Sequence, residues 1–342
     1  MQLYNLEFTE AEIRAAAAAD RLLSMEIEFS RDCNFRCAYC YVEDRSAGPD
    51  ELSRDEIREV LIQAGELGAR KIIVLGGEPS IYPHLVEMLD FLVGRGFAVE
   101  MFTNGSGVTP ELARVLASHR VRVVVKMNSR DEAVQDRLAG KKGAFRIIGQ
   151  ALDNLRGAGY PSQELFLAAS TIICRQNLDE LPALWQWLRE QGIEPYFEIL
   201  TPQANALDNP WLQVEPAELR DLFQRLAAVD RERFGRAWEP QPPLVGNRCM
   251  RHQVSCLVNA RGEVMPCVGV TIPLGSIREQ RLADILQHRV IRDLKDYRQT
   301  IKGECATCDK SAECYGCRGA AFQLTGDYLA SDPTCWRNCG KD

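Results

Sequence analysis

Six short apolar runs follow one another along the first two hundred residues, and helical patterns fill the gaps between them. The runs are MEIEF (25–29), KIIVL (71–75), FAVEMF (97–102), VRVVVKM (121–127), LFLAASTII (165–173) and IEPYFEIL (193–200). Continuous apolar runs of this length are typical of parallel strands that are buried on both faces. Helix caps such as Ser53 and terminal glycines such as Gly68 bound the helical segments. The series predicts an α/β protein, a parallel sheet of six βα units curled into a partial (β/α)6 barrel with functional residues at the carboxyl ends of its strands.

The pattern changes after Trp211, where a helix predicted over 215–233 is followed by the proline-rich stretch WEPQPPLVGNRC. We interpret this stretch as a domain boundary, because a chain of 342 residues is long enough for about two domains. The sequence therefore predicts a helical N-terminal extension over 1–23, a barrel over 24–240 and a cysteine-rich C-terminal domain over 245–342.

Composition and charge exclude several classes of protein. Charged residues make up 26% of the chain and apolar residues 46%, which is typical of soluble globular proteins. A net charge of -7 argues against general nucleic-acid binding, because phosphate contacts need clustered Lys and Arg. No apolar run approaches the roughly 20 residues of a membrane helix, and the N-terminus carries acids where a signal peptide carries bases. We therefore expect a cytoplasmic protein without a membrane or nucleic-acid partner.

Thirteen cysteines are the unusual feature of this composition. An odd number without an export signal, in a compartment that keeps thiols reduced, indicates metal ligation rather than disulfides. Cys174 stands alone in an apolar strand and is interpreted as a small core residue. The other twelve form two groups: Cys33, Cys37 and Cys40 near the start, and Cys249, Cys256, Cys267, Cys305, Cys308, Cys314, Cys317, Cys335 and Cys339 in the last hundred residues.

The first group lies in the sequence CNFRCAYC (33–40), directly after the first predicted strand. Three thiolates on one loop can hold three irons of a [4Fe–4S] cube and leave the fourth iron open as a binding site. The alternatives are a structural zinc site completed by a distant residue, or three unrelated cysteines.

The second strand ends in the turn Gly76-Gly77-Glu78-Pro79, where the absence of side chains lets a ligand approach the backbone. A CxxxCxxC loop with Tyr39 in its last spacing, followed by GGEP after the next strand, resembles the radical S-adenosylmethionine (radical SAM) enzymes. Both motifs stand in order at the ends of consecutive predicted strands, which makes the resemblance more specific than either motif alone.

The resemblance implies a mechanism for this chain. S-adenosylmethionine would bind the open iron through its amine and carboxylate, and the reduced cluster would cleave it to a 5′-deoxyadenosyl radical that abstracts a substrate hydrogen. The backbone around Gly76, Gly77 and Glu78 would hold the ammonium group. The implied cofactor contacts are Tyr39, Gly76, Gly77, Glu78, Pro79, Asn104, Lys126, Asn128 and Ser129. Asn104 belongs to TNG after the third strand, and it is either a contact of this kind or part of a β-turn.

The C-terminal cysteines include the run CATCDKSAECYGC, whose spacing alone suits either a zinc site or an iron site. Behind a radical SAM half, the whole region 245–342 resembles the SPASM domain, which carries two auxiliary [4Fe–4S] clusters. By this resemblance the first auxiliary cluster would use Cys249, Cys256, Cys267 and Cys317. The second would use Cys305, Cys308, Cys314 and Cys335, although Cys339 is an alternative to Cys335 because the last short spacing departs from the usual pattern.

The resemblance implies a radical SAM/SPASM enzyme with three [4Fe–4S] clusters that oxidatively modifies a peptide or protein. The alternatives are modification of a small molecule, such as decarboxylation of a haem precursor, and a non-enzymatic electron carrier or zinc-stabilised binding module. The expected partners are a flavodoxin- or ferredoxin-type electron donor and a separate peptide-recognition protein, because only about 24 residues precede the first strand. Tyr196 and Glu198, at the end of the sixth strand, are candidates to face the barrel lumen.

Overall fold

The computed structural model of this protein describes residues 8–42 and 46–338. The six strands of the barrel are β1 (Ser24–Glu28), β2 (Lys71–Leu75), β3 (Ala98–Thr103), β4 (Arg122–Lys126), β5 (Leu167–Ile173) and β6 (Glu194–Ile199). The helices of this part are α1 (Glu10–Ala18), α2 (Arg54–Glu66), α3 (Leu85–Gly94), α4 (Pro110–Ser118), α5 (Glu132–Ala139), α6 (Ala144–Gly157), α7 (Leu181–Glu190) and α8 (Pro216–Phe234). Each observed strand begins and ends within two residues of the prediction.

All six strands pair in parallel, in the spatial order β6-β5-β4-β3-β2-β1. The register of β1 on β2 runs from Ser24 opposite Lys71 to Glu28 opposite Leu75. This open parallel sheet with helices between consecutive strands confirms the predicted α/β fold and its partial barrel. Because the strands are parallel, all their carboxyl ends lie at one end of the barrel.

Helix α2 illustrates how the outer layer forms. A capping box begins it, in which the Ser53 hydroxyl accepts from Glu56 N and the Glu56 side chain accepts from Ser53 N. Ile57, Val60 and Leu61 then project from one face at helical spacing and are fully buried in the core between the helices and the sheet.

The inner face of the sheet is more polar than the sequence analysis expected for strands buried on both sides. Residues that alternate with the core positions point into the lumen, and several of them carry charge. Glu100 is fully buried and pairs with Lys71 at 3.7 Å and with Arg122 at 3.0 Å. Buried charges of this kind are tolerated because each has an opposite partner.

The C-terminal part extends the same sheet. Its strands are β7 (Leu257–Val258), β8 (Glu263–Met265) and β9 (Gly275–Ser276), and its helices are α9 (Arg251–Val254), α10 (Leu282–Ile285), α11 (Arg289–Lys295), α12 (Tyr297–Thr300), α13 (Glu304–Thr307) and α14 (Arg318–Thr325). Strand β7 pairs in parallel with β1, and β8 and β9 follow as antiparallel neighbours, so the sheet has nine strands. Gly262, at a φ of 86°, makes the tight turn between β7 and β8.

The proline-rich stretch predicted as a boundary is anchored to β6. Ile199 N donates to Pro243 O and Val245 N donates to Phe197 O, each at 3.0 Å. Of the predicted N-terminal extension, residues 8–23 are described and contain α1. Across the described residues, no helix has both the length and the apolar composition needed to cross a membrane.

Candidate active site

Cys33, Cys37 and Cys40 lie on the loop that follows β1, and all three line one cavity of about 190 Å³ at the carboxyl ends of the strands. Burial, followed by the neighbouring Cys40 and Cys33 thiols, raises the pKa of Cys37 to about 12. Without a metal the Cys37 thiol therefore keeps its proton, whereas a bound metal centre would deprotonate it. This loop offers the three closely placed sulfur donors that an iron–sulfur cluster needs.

The arrangement of sulfur atoms bears on the zinc alternative. Within residues 8–42 and 46–338, no three Cys, His, Asp or Glu side chains converge closely enough to coordinate a single metal ion. A zinc ion draws its ligands to about 2.0–2.3 Å from one point, whereas each iron of a cluster takes its own thiolate. The two kinds of centre therefore require different spacings between the ligand atoms.

The two glycines after β2 are required by the cysteine loop itself. Gly77 N donates to Ser30 O and Glu78 N donates to Asp32 O, both at 2.8 Å. A Cβ atom at Gly77 would stand 2.1 Å from Asp32 O, and one at Gly76 would stand 2.3 Å from Ser30 O. The sequence predicts a bare backbone that a ligand can approach, but the side of the turn where a Cβ would project is filled by residues 30–32.

Glu78 is a buried carboxylate that ties the turn after β2 to the turn after β3. It accepts hydrogen bonds from Ser80 N at 2.9 Å, from the Thr103 hydroxyl and from Asn104 N. Burial raises the pKa of Glu78, while these hydrogen bonds act in the opposite direction. The side chain therefore holds two loops of the site together.

Asn104 forms the local turn that was one of its two predicted roles, and it also reaches the cysteine loop. Its Oδ1 accepts from Ser106 N at 2.9 Å, which is a local turn contact. Its Nδ2 donates to Asn34 Oδ1 at 3.1 Å and approaches the Cys33 Sγ at 3.8 Å. Asn104 therefore connects the turn after β3 to the first thiol of the loop.

Lys126 lines the cavity, where its Nζ donates to Ser170 Oγ at 2.8 Å and lies 3.7 Å from Glu198 Oε1. Its ammonium also lies 5.6 Å from the centre of the Tyr39 ring. Glu198 and Tyr196 line the same cavity, in agreement with their predicted place in the lumen.

Three of the predicted cofactor contacts lie away from the cavity wall. Asn128 and Ser129 are fully buried, and Asn128 Nδ2 donates to Tyr39 OH at 2.6 Å from behind the ring. The Ser129 hydroxyl accepts from Asp131 N at 2.9 Å, just before α5 begins. Pro79 is buried and opens a short 3-10 helix. The structure therefore brings Cys33, Cys37, Tyr39, Cys40, Gly76, Gly77, Glu78, Asn104 and Lys126 to the cavity, but not Pro79, Asn128 and Ser129.

The cavity also contains a pair that the sequence analysis did not single out. Glu26, on the lumen face of β1, pairs at 3.1 Å with Arg251, which comes from α9 more than two hundred residues later. Burial raises the pKa of Glu26, and the Arg251 charge counteracts it. The alternation of Glu26 and Glu28 with apolar residues in MEIEF was the available signal of a polar inner face.

Cys249, Cys267 and Cys317 come together in the C-terminal part, and we call them the first auxiliary group. All three line a second cavity of about 70 Å³. Burial and then Asp332 raise the pKa of Cys317 to about 12, with smaller contributions from Cys267 and Cys249. The loops that carry Cys267 and Cys317 approach closely because Gly269 and Gly319 pack backbone against backbone.

Cys256 does not join this group. It is fully buried in the main hydrophobic core, two residues before Val258, which belongs to the same core. Its backbone oxygen accepts from Glu26 N, which extends the β1–β7 ladder by one residue. Because side chains alternate along a strand, the Cys256 thiol points toward the helices and away from the lumen.

Cys305, Cys314 and Cys335 form the second auxiliary group. Burial, followed by Asp332, Cys305 and Cys314, raises the pKa of Cys335 to about 12. Cys308 follows α13, and its sulfur accepts from Lys310 N at 3.4 Å. Cys339, the predicted alternative to Cys335, lies outside the described residues.

Comparisons with known proteins agree with this geometry. The family model of the radical SAM superfamily matches residues 27–188, and SPASM, an iron–sulfur cluster-binding domain, matches residues 249–309. The AdoMet-dependent heme synthase of Methanosarcina barkeri (strain Fusaro / DSM 804) is 27% identical over 358 residues, covering 96% of this chain and 99% of that protein. The mycofactocin maturase MftC of Mycolicibacterium smegmatis is 27% identical over 339 residues, covering 94% of this chain and 84% of that protein.

Among solved structures, Streptococcus suis SuiB bound to its precursor peptide SuiA has the same fold. It matches with a TM-score of 0.69 at 15% identity, over 95% of this chain and 78% of that one. The two family models match in the predicted order. They identify an enzyme rather than a zinc-stabilised binding module or a simple electron carrier. The chain belongs to the radical SAM superfamily and is an enzyme that uses S-adenosylmethionine and [4Fe–4S] clusters, with a SPASM domain after its barrel.

Proposed function

We propose that this enzyme oxidatively modifies a peptide or protein, using three [4Fe–4S] clusters. The observation that carries the proposal is that the cavity at Cys33, Cys37 and Cys40 adjoins the cavity at the first auxiliary group. Thr201, Arg251 and Val268 are among the residues that line both cavities. A substrate at the first site would therefore lie beside an electron acceptor, which an oxidation requires.

The loop thiols would hold the cluster that binds S-adenosylmethionine. That cofactor supplies a 5′-deoxyadenosyl radical, which takes a hydrogen atom from the substrate. Around it, the amide N–H groups of Gly77 and Glu78 already donate to the cysteine loop. The acceptors that this turn can offer an ammonium group are therefore carbonyl oxygens, since an ammonium only donates.

Lys126 would bind the carboxylate of S-adenosylmethionine. Its ammonium lies on the cavity wall, fixed by Ser170 on one side and Glu198 on the other. Asn128 would act through Tyr39, because its amide holds the tyrosine hydroxyl from the buried side. Tyr39 thereby keeps one orientation between the cysteine loop and Lys126.

The auxiliary groups would hold two further clusters, which supply places for electrons removed from the substrate. Cys305, Cys308, Cys314 and Cys335 are the ligands that we assign to the second auxiliary cluster. Backbone N–H groups point at these sulfurs, for example Gly316 N at 3.2 Å from Cys314 Sγ. Such hydrogen bonds are a known means of setting cluster potentials.

The relatives support a peptide substrate and also name a second candidate. MftC is a maturase, and SuiB was solved with a precursor peptide. The second candidate is oxidative modification of a small molecule such as a haem precursor, because the heme synthase matches over nearly its whole length. In either case we place the division between the catalytic and auxiliary parts at 24–240 and 245–342.

We further propose that a flavodoxin- or ferredoxin-type protein supplies electrons in the cytoplasm, where the twelve described cysteines stay free of disulfides. A separate protein would present a peptide substrate. Mixing the reduced donor protein with the enzyme and following formation of 5′-deoxyadenosine tests the first of these partnerships.

The experiment compares three proteins under anaerobic conditions: the wild type, the triple variant Cys33→Ala, Cys37→Ala, Cys40→Ala, and the control Cys174→Ala. Cys174 is fully buried, whereas the three loop cysteines are partly buried, and it lies among apolar residues outside the thiol groups. We expect the triple variant to lose about four irons per chain and all cleavage of S-adenosylmethionine, while Cys174→Ala keeps both. Cleavage by the triple variant at the wild-type rate would refute the assignment of the site.

Substrate class is then tested by mass spectrometry on two sets of compounds, a library of synthetic peptides and a set of haem-precursor porphyrins. A product that has lost hydrogen or carbon dioxide, formed together with 5′-deoxyadenosine, identifies the class. Turnover of porphyrins alone would replace the peptide proposal with the small-molecule one.

A further inference from the structure

Arg318 is a buried cation, and two of its three guanidinium nitrogens lack a hydrogen-bond partner among the described residues. The residue is 1% exposed. Its Nη1 donates to Tyr328 O at 3.1 Å and to Ala330 O at 2.6 Å, whereas Nε and Nη2 are the nitrogens without a partner. Arginine is rarely buried to this extent unless it is paired. The side chain therefore needs a further anionic partner.

The guanidinium group lies between the two auxiliary groups. Arg318 lines the cavity of the first auxiliary group. It also approaches the second, because a Cβ atom at Gly316 would stand 2.8 Å from Arg318 Nη2 and 3.4 Å from Cys305 Sγ. Both of these atoms therefore lie within 3.4 Å of one point. The N–H groups without a partner are near sulfur atoms that we assign to both auxiliary clusters.

The other basic side chains on the wall of the first auxiliary cavity do not carry a charge without a partner. Arg251 pairs with Glu26 at 3.1 Å. Burial, followed by the charges of Arg251 and Arg318, lowers the pKa of His252 to about 3, so this imidazole is neutral at physiological pH. Within residues 8–42 and 46–338, no carboxylate forms a hydrogen bond with Arg318. Its charge is therefore available to an anion bound between the two groups.

We propose that Arg318 donates from Nε and Nη2 to sulfur atoms of both auxiliary clusters and thereby raises the reduction potential of each. A cluster held by thiolates is anionic, and it gains one further negative charge when it accepts an electron. A buried cation beside it stabilises the reduced form more than the oxidised form, because charges interact strongly where water is excluded. The inference rests on the proposed function, since both clusters must form and the electron that they accept is the one lost by the substrate.

The test is a redox titration of the full chain carrying Arg318→Met, followed by electron paramagnetic resonance. Methionine keeps the length of the side chain and removes its charge. We expect reduction of each auxiliary cluster to become about tenfold less favourable, which lowers its midpoint potential by about 59 mV. The potential of the loop cluster should not change, and its signal is identified by its absence from the triple variant Cys33→Ala, Cys37→Ala, Cys40→Ala. Arg318→Lys, which retains the charge, should restore part of both potentials.

The matched control is Arg289→Met in α11, whose side chain is 82% exposed. Water and salt screen this charge, so all three potentials should equal those of the wild type. Circular dichroism identifies a variant that fails to fold, and Arg318→Gln, which is neutral but can still donate to Tyr328 O and Ala330 O, is the second variant for that case. A wild-type potential for either auxiliary cluster in a folded neutral variant would overturn the inference, as would an equal fall for the loop cluster.

Iron content separates failure of this inference from failure of the proposed function. The proposed function requires about twelve irons per chain in the wild type and about eight in the triple variant. Fewer irons would mean that the auxiliary clusters do not form, which refutes both. Full iron content together with unchanged potentials in Arg318→Met refutes the inference alone, and the N–H groups of Arg318 would then be left for a carboxylate of the substrate.

Discussion

Replacing Gly77 with alanine tests the contact between the cysteine loop and the turn after β2. The new Cβ would stand 2.1 Å from Asp32 O and 2.3 Å from Arg31 O, and both of these atoms belong to the backbone. No flexible side chain can move aside, so the loop itself must shift. The shift breaks the hydrogen bonds from Gly77 N and Glu78 N to the loop.

The size of the effect follows from these contacts. Each of the two hydrogen bonds contributes about 1 kcal/mol and the overlap costs about 1–3 kcal/mol, so we expect a loss of about 3–5 kcal/mol. The loss falls on the segment that carries Cys33, Cys37 and Cys40. We therefore expect reconstituted Gly77→Ala to lack about four irons per chain and to bind S-adenosylmethionine more weakly than the wild type.

The matched control is Gly149→Ala in α6, where a Cβ would meet nothing within 4 Å. Alanine at that helical position should stabilise the protein by about 0.5–1 kcal/mol. The assay is iron content together with isothermal titration of S-adenosylmethionine. Full iron content and unchanged affinity in Gly77→Ala would refute the reasoning, because the loop would then not pack on the turn as described.

Three further substitutions test individual side chains. Lys126→Met should raise the dissociation constant of S-adenosylmethionine at least about tenfold, since hydrogen bonds to charged groups contribute about 1.5–3 kcal/mol; an unchanged constant in calorimetry would place the cofactor carboxylate elsewhere. Asn104→Ala removes an amide whose Nδ2 lies 3.8 Å from the Cys33 sulfur, and the midpoint potential of the loop cluster should fall by tens of millivolts in a redox titration; an unaltered potential contradicts this role. Cys308→Ala should retain cleavage of S-adenosylmethionine and lose the oxidised product, and undiminished product would make the second auxiliary cluster structural.

The local pattern of apolar residues was sufficient to predict the barrel strands and to place the two motifs at the ends of consecutive strands. Apolar runs bounded by glycines identify strands without any knowledge of their neighbours, and the spacing of Cys33, Cys37 and Cys40 lies within eight residues. The sequence does not show which face of the sheet a side chain occupies when its partner lies far along the chain. The place of Cys256 depends on the register of β7 against β1, which only the folded sheet determines.

The same reason accounts for the contacts that were missed or misplaced. Arg251 reaches Glu26 across 225 residues of chain, so neither residue signals the other in sequence. Asn128 was expected at the cofactor, but the end of β4 is covered by Tyr39, and the asparagine holds that ring from behind. The position of a residue at a strand end predicts that it lies near the site. It does not predict which side chains line the cavity and which lie behind them.

The pairing of β7 with β1 has a consequence for any attempt to study the barrel alone. Strand β1 carries the cysteine loop, and without β7 its backbone N–H and C=O groups would become an exposed sheet edge. A chain that ends before residue 245 would also leave Glu26 buried without Arg251. Such a fragment should aggregate through this edge, so we expect that the barrel cannot be produced as a stable protein without the C-terminal part.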